Sequence, residues 1–128
     1  MQNCTSLALK LEKAIDPRET SPIFDGISEM AMSVGRRIRE IQDENSPLEN
    51  GEWRILFLGF WDSFRSVFGY RMTVRDYHFV LQEDNGSWVQ CDRGGPIVSA
   101  NIHALIASAE EDGIEHHFYA VSKTTAEP

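Results

Sequence analysis

Three side chains in this sequence have the types and order that nucleophilic chemistry needs: Cys4, His78 and Asp92. A thiolate attacks a carbonyl carbon, an imidazole takes and returns the proton, and a carboxylate or amide fixes the imidazole tautomer. Cys4 stands where a helical pattern begins. A thiol at a helix start meets amide donors and a positive partial charge, both of which favour the thiolate. Its own backbone N–H would then help to bind an oxyanion. The plain alternative is a capped helix with a bystander cysteine and a surface His–Asp pair. Cys91, the other thiol, alternates with apolar neighbours and reads as core.

Whether His78 meets a partner depends on a β-hairpin. The run from Asp76 to Asp92 holds two β-rich segments around Asp84-Asn85-Gly86, a strong hairpin signal. A two-residue loop would mix polar and apolar side chains on both faces. A three-residue loop with Gly86 left-handed pairs Leu81 with Val89 and Phe79 with Cys91, giving one wholly apolar face. A slip by one residue would turn every side chain over, so the clean face selects the three-residue loop. In that register His78 lies opposite Asp92, Val80 opposite Gln90 and Gln82 opposite Trp88. Opposed Cβ atoms are ~5 Å apart, within reach of an imidazole–carboxylate bond.

The remaining elements must position this pair. Leu7, Leu11, Ala14 and Ile15 predict a helix from about Thr5 to Ile15, ended by Asp16-Pro17. Ile27, Met30, Val34, Ile38 and Ile41 predict a second helix, capped by Asp25 or Ser28 and running to about Asp43. A polar loop follows from Glu44 to Gly51. The stretch 53–60 is apolar on both parities, as a central strand covered on both faces should be. Residues 61–73 have mixed signals. Arg93-Gly94-Gly95-Pro96 predicts a turn. Asn101 or Ser99 caps a helix that stops at Asp112-Gly113, and Ile114 to Lys123 alternates as a last strand. The order gives an α+β domain over 1–123 with an antiparallel sheet, and a loose tail over 124–128.

Composition narrows the partners. The 128 residues carry a formal net charge of −8 and include only two cysteines. Arg36, Arg37 and Arg39 stand among Glu29, Glu40, Asp43 and Glu44, so no basic patch invites nucleic acid or an anionic membrane. No apolar run of spanning length is present, and no signal-peptide pattern is visible, so the expectation is a cytoplasmic protein or one secreted without a classical signal. His116 and His117 are adjacent on a strand and point to opposite faces. His103 lies on a polar helix side. No Cys/His spacing calls for zinc, no glycine loop cradles a phosphate, and no cofactor is expected.

Asn3-Cys4 with Ala8 resembles the Asn-Cys-x-x-x-Ala opening of the catalytic helix in a group of bacterial papain-like peptidases and amidases. Asp76-Tyr77-His78-Phe79, then Asn85-Gly86-x-Trp88, then Gly95-Pro96, resembles a second block of the same group. The two blocks cover about a quarter of the chain. The resemblance implies a papain-like fold, N-terminal helices on a small antiparallel sheet, with Cys4 as nucleophile and His78 as base. Gln90 occupies the place of the group's histidine after the tryptophan, and Cys91-Asp92 replaces Lys-Pro. The orienter is therefore Asp92 by hairpin geometry or Gln90 by resemblance. Two functions are open: a thiol hydrolase or acyl transferase on an amide of a protein or peptide (peptidase, amidase or deamidase), or a non-catalytic acidic protein-binding module such as an effector, inhibitor or immunity protein.

Overall fold

The computed structural model describes residues 3–13, 26–59, 77–91 and 96–124. Its frame is a six-stranded sheet: β1 (Arg36–Ile41), β2 (Trp53–Gly59), β3 (Tyr77–Gln82), β4 (Trp88–Cys91), β5 (Ile97–Ser99) and β6 (His116–Lys123). The strands lie in the order β1-β6-β2-β3-β4-β5, and every pairing is antiparallel. Helices α1 (Cys4–Ala8) and α2 (Ile27–Ser33) precede it, and α3 (Ile102–Glu111) joins β5 to β6. The expected α+β class and antiparallel sheet are found. Among the described residues no helix is long and apolar enough to cross a membrane.

Strand alternation divides the core into two layers. Leu7, Leu9 and Met30 of the N-terminal segments bury Phe57, Phe79, Leu81 and Cys91 on one face. Ile102 and Ala109 of α3 bury Leu56, Leu58, Val80 and Phe118 on the other. Central β2 feeds both, which is why its sequence is apolar on both parities. Phe57 and Phe79 are paired across β2 and β3 with ring centroids 4.9 Å apart. Truncating either to alanine would cost about 3–5 kcal/mol.

The hairpin has the expected register: Leu81 pairs with Val89 and Gln82 with Trp88. Gly86 is left-handed at φ 92°, and the loop closes with Gly86 N–H donating to the Glu83 carbonyl at 2.8 Å. The C-terminal half also follows expectation. Asn101 Oδ1 accepts from Ala104 N–H at 3.1 Å, and Gly113 leaves the helix at φ 72°.

Two helices are shorter than the apolar spacing predicts. Within the described residues the first ends at Ala8, and Ala14 and Ile15 lie outside them. Its carbonyls are taken by distant side chains: Trp53 Nε1 donates to Ala8 O at 2.8 Å, Arg36 Nε to Leu9 O at 2.7 Å and Arg36 Nη2 to Lys10 O at 2.9 Å. Lys10 then turns at φ 56°, with its ammonium 4.5 Å from the Trp53 ring centre. The second helix stops at Ser33 rather than near Asp43. Gly35 reverses the chain at φ 79°, and residues 36–41 form an edge strand beside β6. Ile38 and Ile41, three apart, fall on opposite faces of that strand and enter different core layers. β5 was not expected from the sequence, although Ile97-Val98 is a β-branched pair. Residues 60–76 and most of the Arg93–Pro96 turn lie outside the described residues.

Candidate functional site

His78 and Gln90 meet. His78 Nε2 lies 2.7 Å from Gln90 Oε1. An amide oxygen only accepts, so Nε2 carries the proton and Nδ1 keeps its lone pair. The two positions have the same parity on β3 and β4 and are diagonal neighbours in the hairpin register, which accounts for the contact. Burial draws the His78 pKa below the usual imidazole range against the opposing Gln90 bond, which favours the neutral ring. Asp92, the other candidate orienter, lies outside the described residues.

Cys4 is held firmly in place. Asn3 caps α1 through Oδ1, which accepts from Ser6 N–H at 2.9 Å, while Asn3 N–H donates to Ser6 Oγ at 2.8 Å. This reciprocal capping fixes the first helical residue, which is Cys4. Its thiol packs on the α1/α2 side of the sheet, where the Phe79 backbone N–H donates to it. The Thr5 hydroxyl is buried and lacks a partner with full hydrogen-bond geometry. Its dipole acts on the sulfur in the same direction as the Phe79 amide.

These donors do not produce a thiolate. Burial dominates and pushes the Cys4 thiol above its ordinary value; the nearby Cys91 adds to the rise. The expected benefit of the helix start fails because α1 has five residues and a correspondingly small dipole, while the thiol is partly buried against the core. Burial raises Cys91 as well.

The thiol and the imidazole are not brought together. His78 pairs with Leu58, and Val80 follows on the same parity; Leu58 and Val80 belong to the α3 layer. Phe79, which touches Cys4, belongs to the α1/α2 layer. The β2–β3 register runs without a bulge from Ile55–Leu81 to Gly59–Tyr77. The His78 side chain therefore leaves the sheet on the face opposite Cys4, one residue along the strand from the amide that holds the sulfur.

Two features had weak sequence signals. His117 Nδ1 lies 2.8 Å from Glu40 Oε2 and Nε2 lies 3.0 Å from Glu115 Oε1. Both ring nitrogens face carboxylates, so the bound form is the imidazolium. Burial works against that charge, but the Glu40 and Glu115 bonds outweigh it and raise the pKa. Only the Glu115-x-His117 spacing at the start of the last strand hinted at this. His116 points to the other face, toward Phe118, and His103 bonds Glu44 at 2.7 Å. Among the described residues no group of His, Cys, Asp and Glu is arranged to hold a metal. The second feature is the β5 edge, whose Ile97 and Val98 are 51% and 37% exposed.

Comparison with family models, curated proteins and solved structures finds no match for this chain.

Proposed function

We propose that this chain is a non-catalytic acidic module that binds a basic protein surface. The placement of the Cys4 thiol and the His78 imidazole on opposite faces of β3 carries this reading, because a nucleophile and its base must share a proton within hydrogen-bond reach. The charge distribution supports it. Exposed Glu110, Glu111 and Asp112 end α3 with no basic residue in its last turn. Acids there oppose the helix dipole and destabilise the helix slightly. A cation-bearing partner would relieve that repulsion, and the net charge of −8 would speed its approach.

Binding is tested by salt and by charge reversal. Partners captured at about 50 mM salt should be released by about 300 mM, where screening shortens to a few ångströms. They should survive Cys4→Ser and His78→Ala, and be lost on the joint change Glu110→Lys, Glu111→Lys and Asp112→Lys. Retention through the charge reversal, or loss with Cys4→Ser alone, would refute the proposal.

A second reading is a papain-like thiol hydrolase or acyl transferase acting on an amide, with Cys4, His78 and Gln90 or Asp92. The His78–Gln90 bond favours it, since it leaves Nδ1 as a base in the tautomer such chemistry uses. That reading requires the imidazole and the thiol on one side of β3. It predicts that Cys4 reacts with a thiol-directed acyl probe at neutral pH only when His78 is present.

A further inference from the structure

The two cysteines of the chain, far apart in sequence, converge on one core layer. The Cys4 sulfur accepts the Phe79 backbone N–H. The β3–β4 ladder ends at Leu81–Val89, and beyond it Phe79 and Cys91 face the same core layer, where α1 packs against both strands. Cys4, Phe79 and Cys91 all belong to the α1/α2 layer of the core, with Cys91 4% exposed. The two thiols therefore lie on the same face, with Cys91 near enough to act on the Cys4 sulfur. The Asn3–Ser6 capping box and the Trp53 and Arg36 bonds to α1 hold Cys4 there. Neither thiol is used by the binding proposal.

We infer that Cys4 and Cys91 form a reversible disulfide that locks α1 to β4, with a low-molecular-weight disulfide such as oxidised glutathione as oxidant. The reaction balances in two exchanges. The thiolate of Cys4, the more exposed of the two, attacks one glutathione sulfur and releases one glutathione thiol. The Cys91 thiolate then attacks the Cys4 sulfur of the mixed disulfide and releases the second. Two protein thiols are oxidised, one small disulfide is reduced, and the two protons end on the departing glutathiones. The bond closes a loop of most of the chain and restricts the unfolded state strongly. Raised thiol pKa values make the exchange slow at neutral pH and faster as pH rises.

The test uses the folded full-length chain with excess oxidised glutathione at about pH 8, followed by acid quench and mass spectrometry. The expected product is lighter by two hydrogens, carries no glutathione, and yields one digest fragment joining the Cys4 and Cys91 peptides. Its Tm should exceed that of the reduced chain by about 5 °C or more. In Cys91→Ala the reaction should stop at a glutathione adduct on Cys4, a readout that does not depend on the stability of the variant. A wild-type chain that stays fully reduced, or stops at glutathione adducts when folded, while crosslinking once unfolded in guanidinium, overturns the inference.

Discussion

His117 and His78 titrate in opposite directions, because His78 is the more deeply buried and faces only a neutral amide while His117 faces carboxylates. His117 faces two carboxylates and has a raised folded pKa. Its contribution is full below the unfolded value of about 6.5 and is lost as pH rises through the higher folded value. Wild type should exceed His117→Gln in unfolding free energy by roughly 0.5–1 kcal/mol near pH 6, with the difference vanishing at higher pH. His78 faces a neutral amide, and its folded pKa is depressed. Its contribution is present above pH 6.5 and falls away as pH drops through the folded value. Denaturant titrations across this range should therefore show His117→Gln and His78→Gln diverging from wild type with opposite pH dependence. Gln90→Leu should cost about 1–3 kcal/mol at pH 7.5, because the His78 Nε2 donor would lose its acceptor while half-buried.

At the scale of elements, α1 is held by the sheet more than by its own sequence. Five residues make a marginal helix. Its C-terminal carbonyls depend on Arg36, which also bonds the Gly35 carbonyl at 3.0 Å. Arg36→Met should destabilise the fold by about 1.5–3 kcal/mol and increase amide exchange at residues 7–11. Such long-range clamps are invisible to periodicity, which is why the helix was expected to run on to Ile15. The Ile38–Ile41 step misled for a different reason. Three residues is a helical interval, but it also reaches opposite faces of a strand that contributes to two core layers. The hairpin, by contrast, was legible, because turn chemistry and a two-residue period point to one register. The same alternation that brought His78 to Gln90 committed His78 to the face away from Phe79. What the pattern did not reveal is which face the distant N-terminal helix covers, and the site depends on that.

For the whole molecule, a sheet clad by α1 and α2 on one side and α3 on the other separates two sets of groups that looked like one site in the sequence. One layer holds the two thiols, and the other holds an imidazole fixed by an amide. The acids at the end of α3 and the exposed β5 edge are left facing outward. Charge-driven association should therefore lose on-rate steeply with ionic strength, with a smaller change in off-rate, in surface binding kinetics.

Cys4 alkylation, measured by peptide mapping across pH 6–10 in wild type and in His78→Gln, separates the two functional readings. With the imidazole behind the sheet, the rates should agree within about twofold at every pH and rise only above the ordinary cysteine value of about 8.5. Rapid alkylation near pH 6–7 that falls about tenfold or more in His78→Gln would mean that the thiol and the imidazole work as a pair, contradicting the binding-module reading.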